Sequence, residues 1–193
     1  PGFGFSEKIT STGCNSRFAA RIWHKLMNEL GYEKYAAQGG DIGAGISTWL
    51  ALQHSEAMIG LHLNFISGSY HPFIHEGAQL SEEEIQYQQK IVEWSQKEGA
   101  YSHLHATKPN TLAYGLNDSP AGLCAWIIEK FNSWSDNHGN IENVFTKDEL
   151  LGNITLYWLT ETIHSSVRMY KENGKKPLLF GPDDFINVPV GFA

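Results

Sequence analysis

Gly39-Gly40-Asp41-Ile42-Gly43 sets an acidic residue among small ones in the small-x-nucleophile-x-small pattern usually written G-x-S-x-G. Such a pattern seats a nucleophile on a strained strand-to-helix turn, where a side chain at either flank would collide with neighbouring backbone. Aspartate in place of serine changes the reaction class. Serine attacks acyl carbons and needs a base to take its proton, whereas a carboxyl of ordinary pKa about 3.9 is already an anion at neutral pH. Its attack on an acyl group would give a reactive anhydride, but attack on a saturated carbon with a strained or good leaving group gives an ester that water can open. The implied chemistry is displacement at an epoxide or a carbon–halogen bond, followed by hydrolysis with a His as base. The five residues alone leave a second reading open, in which Asp41 merely caps the helix that follows. A dinucleotide fingerprint does not fit, because Gly39, Gly40, Gly43 and Gly45 are not in G-x-G-x-x-G order.

Nine histidines offer other chemistry. His71 and His75 stand at i, i+4, and His103 and His105 form a His-x-His pair, both spacings that can ligate metal. Neither pair has a cysteine or a clear third ligand beside it, so no metal and no cofactor is expected. His62 falls inside an expected strand and His24 and His54 on expected helices, which gives them packing or surface roles. The run Glu82 to Glu84 reads as a solvated helix start.

These residues need elements to position them. Asn15 or Ser16 caps a helix on which Phe18, Ala19, Ile22, Trp23, Leu26, Met27 and Leu30 recur at helical spacing, so one face should be buried, and Gly31 ends it. Tyr35 to Gln38 is a short strand, the glycine turn follows, and an apolar helix runs to about Leu52. Met58 to Phe65 is a second strand, so residues 32–66 have the β-α-β rhythm of a parallel sheet. From Ser67 the texture turns helical. Ser81 with Glu84 and Thr146 with Glu149 are capping boxes, and Ser119-Pro120 is a cap followed by an N1 proline. The segment after Thr146 is long enough for two helices. Residues 177–182 read as linker, and strand character returns from Ile186.

Composition bounds the partners. The chain has 193 residues, 41% hydrophobic and 18% charged, with 10 Phe, 6 Trp and 8 Tyr, which fits a globular protein with a sizeable core. A net charge of −7 without a basic cluster argues against nucleic acid. The longest apolar run, Ala121 to Ile128, covers 8 residues, far short of the ~20 that span a bilayer. The two cysteines, Cys14 and Cys124, have no motif spacing, so a reducing, cytoplasmic setting is the default. A start at Pro1 and an end in the apolar stretch Ile186 to Ala193 suggest a fragment.

Several stretches in order resemble the epoxide hydrolases of microsomal type, an α/β-hydrolase family with a helical cap. They are Pro1-Gly2-Phe3-Gly4-Phe5-Ser6, Gln38-Gly39-Gly40-Asp41, Gly60-Leu61-His62-Leu63-Asn64, Thr107-Lys108-Pro109-Asn110-Thr111, Asn117-Asp118-Ser119-Pro120, Leu156-Tyr157-Trp158 and Tyr170-Lys171-Glu172. The resemblance covers essentially the whole chain. It implies an α/β fold: a partial hydrolase core of parallel strands in residues 1–66, an inserted helical cap in 67–176, and a linker with a return strand in 177–193. Asp41 matches the family's nucleophile and the Ile42 backbone N–H one oxyanion donor. Tyr101 and Tyr170 match two cap tyrosines that donate to the epoxide oxygen, as a phenol of pKa about 10 can. The implied partners are a small lipophilic epoxide and water, with a homodimer allowed for and roles in detoxification or aromatic catabolism. A membrane anchor upstream of Pro1 is left open. The family's His-Gly-Trp-Pro loop should precede Pro1, and its triad acid and His should follow Ala193. Ile42 stands where many relatives have Trp, which removes an aromatic wall and argues against a haloalkane dehalogenase, whose Trp there holds halide. A non-catalytic binder of a lipophilic ligand on the same scaffold is the alternative.

Overall fold

A computed structural model describes residues 1–65, 79–181 and 183–193. His71 and His75 lie outside the described residues. The chain divides into two compact units, one of residues 12–101 with 172–193, the other of residues 1–11 with 102–171.

The first unit is built on a three-stranded parallel sheet in the order β1 (Tyr35–Gly39), β2 (Met58–Leu63), β3 (Val190–Phe192). Parallel strands need a crossover, and α2 (Ile42–Gln53) supplies it between β1 and β2. α1 (Ser16–Glu29) packs on α2, with Ala20 facing the same core as Ala44 and Ala51; alanines let helices approach closely. Tyr35, Leu50, Met58, Leu61 and Leu63 complete that core, with Ile186 and Val188 packed against it.

Local signals in the sequence are realised closely. Asn15 caps α1 through its side chain on the Phe18 N–H, 3.0 Å away. At the other end the Tyr32 N–H reaches the Met27 carbonyl and the Gly31 N–H the Asn28 carbonyl, the paired bonds of a Schellman stop with Gly31 at φ +84°. Ser81 and Glu84 form their capping box at the head of α3 (Glu82–Glu98).

Two expectations need correcting, at α1 and at the return strand. The apolar stripe of α1 is only partly covered: Ala19 and Ala20 are buried, but Trp23 is 45% and Leu30 60% exposed. α3 carries Ile85, Ile91, Val92 and Trp94, and none of its residues is buried. Its capping box and three acids at the positive helix end stabilise the helix without burial. The return strand begins at Val190 rather than Ile186. Pro189 has no N–H to donate, so it only accepts, from Leu61 at 2.9 Å, and the ladder starts after it.

The second unit is helical. α4 (Ala100–Thr107) enters it after Tyr101, and α5 (Pro109–Asp118), α6 (Pro120–Trp134), α7 (Lys147–Thr160) and the part of α8 (Ile163–Lys175) before Glu172 build it. Ala113, Leu116, Leu123, Ile154, Ile163 and Val167 form its core. Ser119 caps α6 with Pro120 in the first turn, and Thr146 and Glu149 box α7. The long apolar segment is two helices because Glu161 turns left-handed, at φ +51°, and Thr162 is buried behind it. Residues 1–11 lie along α8: Ser165 Oγ donates to the Gly2 carbonyl at 2.6 Å, and Arg168 Nη1 to Ile9 O at 3.2 Å. Among the described residues no helix is long and apolar enough to cross a membrane.

Candidate active site

β1 ends at Gly39, and α2 starts at Ile42, so Gly40 and Asp41 must reverse the chain. Asp41 does so at φ 47°, ψ −125°, outside the region that asparagine and aspartate normally tolerate. A non-glycine residue held there costs about 1–3 kcal/mol, and such strain concentrates at functional turns. The Ala44 N–H closes the turn on the carbonyls of Gly40 and Asp41, each at 3.1 Å. Although Asp41 occupies the N-cap position, its side chain makes no capping hydrogen bond, so the simple cap reading has no contact to rest on.

Only one flank of the elbow is sterically closed. A Cβ on Gly39 would sit 2.2 Å from the Gly43 carbonyl oxygen and 2.6 Å from Ser47 Oγ. A Cβ on Gly43 would meet nothing within 4 Å, and one on Gly40 only Asn64 Cβ at 3.6 Å. The close approach is therefore of the strand end to the first turn of α2, and the expected crowding at the second flank is absent. Gln38 and Asn64 tie the ends of β1 and β2 beside this turn, the Gln38 amide donating to Asn64 Oδ1 and the Asn64 N–H to Gly39 O at 3.1 Å.

Although Asp41 is an exposed residue, the protein beside its carboxyl removes part of the hydration and holds it above the usual carboxylate range; a hydrogen bond from the Ile42 N–H works the other way. Ile42 N–H is a first-turn donor with no intrahelical acceptor, aimed toward the carboxyl. One turn thus sets a carboxyl and a backbone N–H side by side at the head of α2.

Tyr101 is the second residue of α4 and belongs to the unit that carries Asp41; Tyr170 is on α8 in the helical unit. Both are half-buried. The Tyr170 ring packs edge-to-face on His105, centroids 4.7 Å apart at 75°. His105 is buried, and Trp126 Nε1–H donates to its Nε2 at 3.2 Å. Sequence reasoning considered His105 only with His103 as a metal pair. Two residues apart on α4 they diverge, His105 inward and His103 exposed, so they cannot share an ion.

Burial pushes the His105 imidazole down to about 4 from its usual 6.5. The folded state thus binds fewer protons than the unfolded one between these values, and stability should be complete above pH 6.5 and fall as pH drops toward 4. The loss is about 3 kcal/mol at most, from about 1.4 kcal/mol per pKa unit. Chemical denaturation across that range should show it, and His105→Gln should flatten this part of the profile.

A cluster that spacing did not show joins His24, His54 and Glu56, whose ligand-capable atoms lie within 4.8 Å of one another. The two imidazoles are stacked, centroids 3.7 Å apart and 5° from parallel. An ion must lie near the plane of each ligating ring, and two stacked planes share no such point, so this arrangement does not fit a metal. His24 instead bonds Tyr35 Oη at 2.7 Å and Asn28 Nδ2 at 3.0 Å, which makes it a packing residue between α1 and β1.

A parallel sheet with a strained acidic elbow at a strand-to-helix turn defines an α/β-hydrolase core. The family model described as alpha/beta hydrolase fold matches residues 1–119, and the chain belongs to that family. It is 42% identical over its whole length to a putative epoxide hydrolase of Stigmatella aurantiaca, and 39% identical to epoxide hydrolase 1 of the pig, Sus scrofa. It covers 43% and 47% of those proteins, so the chain spans a little under half the length of the curated relatives it matches. Among solved structures it is similar to the epoxide hydrolase of Aspergillus niger, at a TM-score of 0.78 and 30% identity, covering 100% of this chain and 48% of that one. The juvenile hormone epoxide hydrolase of the silkworm Bombyx mori is similar at a TM-score of 0.74 and 34% identity, with 100% and 44% covered.

Proposed function

We propose that the protein is an epoxide hydrolase that opens a small lipophilic epoxide to a vicinal diol through an ester on Asp41. The observation that carries this reading is the elbow itself: a carboxyl at a strained turn, making no cap bond, with the next N–H beside it. An Asp41 oxygen attacks an epoxide carbon, forming a C–O bond as the ring C–O bond breaks. The electron pair stays on the epoxide oxygen, which takes a proton from a phenol of Tyr101 or Tyr170. By the family resemblance we place the cap at residues 67–176, inserted between core segments 1–66 and 177–193; that segment includes both phenols, Tyr170 in the helical unit and Tyr101 on the stretch of chain that leads into it. Water then adds to the ester carbonyl, and the oxyanion is met by the Ile42 N–H. Collapse breaks the acyl C–O bond and frees the diol. The base and acid for this second step are those that the family resemblance puts beyond Ala193. Names of the relatives support the substrate class, since they include epoxide hydrolases from a bacterium, a mammal and an insect. Halide displacement is disfavoured because Ile42 has no side-chain N–H to hold the leaving ion.

The test is one turnover of the full-length protein, in excess over a lipophilic epoxide, in oxygen-18 water. The ester route puts the heavy oxygen into the peptide carrying Asp41 and leaves the first diol unlabelled. Direct attack by water would label the diol and not the peptide, and would overturn the proposal.

A further inference from the structure

We propose that His105 is the positioning residue for the Tyr170 phenol, a neutral imidazole held by Trp126 and set edge-to-face against the Tyr170 ring. This rests on the reading of Tyr170 as donor to the opening epoxide oxygen. Three helices meet at this imidazole: His105 on α4, Trp126 on α6 and Tyr170 on α8. An indole N–H is a donor only, so the Nε2 that accepts it at 3.2 Å must carry a lone pair. The ring proton is therefore on Nδ1, which fixes both the tautomer and the orientation of the ring. Trp126 is itself packed against the core of the helical unit, so the pin is anchored in well-packed structure.

A pinned imidazole gives Tyr170 a fixed wall. The contact, 4.7 Å between centroids at 75°, is the favoured geometry of an aromatic pair, and it restrains both the swing of the tyrosine and the plane of its ring. A phenol O–H prefers its own ring plane, so fixing that plane aims the proton. Donors in place before charge develops need no rearrangement in the transition state, and that is where the rate benefit arises. Burial supports the scheme: an imidazolium at this position would place an N–H against the Trp126 N–H, and His105 is pushed away from that state.

The experiment measures the single-turnover rate of ester formation in the full-length protein. His105→Phe keeps an aromatic ring but offers Trp126 no acceptor; His105→Gln keeps an acceptor but no ring. Each should slow ester formation about three- to tenfold, the equivalent of one edge-to-face pair. Epoxide affinity should change less than twofold. In a Tyr170→Phe background the same substitutions should slow nothing further. Trp126→Phe, a milder change to the fold, should act in the same direction and carries the test if the His105 variants do not fold. An equal loss in both backgrounds, a loss confined to KM, or unchanged rates while Tyr170→Phe is slow would each overturn the positioning role. Unchanged ester formation in Tyr170→Phe would instead overturn the donor reading, and the positioning role with it.

Discussion

Alanine at Gly39 should destabilise the protein by about 3 kcal/mol or more and remove activity, whereas alanine at Gly43, four residues later in the same motif, should be neutral or stabilising. The added carbon at Gly39 would lie 2.2 Å from a backbone oxygen, well inside contact distance, and 2.6 Å from Ser47 Oγ. The serine could rotate away, but the Gly43 carbonyl is part of α2 and cannot. Overpacking of a soft site costs about 1–3 kcal/mol; a clash with backbone belongs at or above that range. Relief requires β1 and α2 to part, which would move Asp41 and the Ile42 N–H together. At Gly43 the space is open, and alanine in a helix gains up to about 1 kcal/mol over glycine. Denaturant unfolding of the two variants gives the signs directly. Equal losses at both positions would mean that the turn tolerates no side chain anywhere, as the sequence pattern alone suggested.

That pair of glycines shows which parts of the site were legible from the sequence. The pattern gave the turn, because strand, glycines and helix are local features. It did not show which glycine bears the steric load, since this depends on how the strand end approaches the helix. The caps at Asn15, Ser81, Ser119 and Thr146 were readable for the same reason: each is set by residues within three positions. Burial was not. Periodicity shows that α1 has an apolar face, but coverage is decided by what packs there, and Trp23 and Leu30 remain exposed. His24 and His54 are thirty positions apart and stack because α1 packs on α2, which His54 ends. His105 was seen as a ligand by its spacing to His103, when its neighbours are Trp126 and Tyr170, 21 and 65 positions away.

Replacing Asp41 should give the opposite signature to a structural residue, with chemistry lost and stability gained. A missing nucleophile should lower turnover by about 10⁴-fold or more, the scale seen when one member of a covalent catalytic unit is removed. Yet the folded state bears two costs at this residue. One is backbone strain at φ 47°, ψ −125°, which glycine adopts without a Cβ penalty. Asp41→Gly should therefore raise stability by about 1 kcal/mol, once glycine's extra freedom in the unfolded chain is set against the strain relieved. The other cost is the partly desolvated charge. Because the folded carboxyl is raised above its ordinary 3.8, the native state binds its proton more tightly than the unfolded chain does. Stability from this group is thus fully present below 3.8 and is lost as pH rises through the elevated value. Asp41→Asn, which carries no charge, should gain on the wild type over that rise and keep the advantage at neutral pH. Thermal unfolding at pH 3 and pH 7 measures the difference, which should be small in acid and favour asparagine at neutrality. A helix cap would behave the other way, since its loss costs about 1 kcal/mol. If both variants are less stable than wild type at neutral pH, Asp41 is holding the turn together, and the case for it as a nucleophile loses its physical basis.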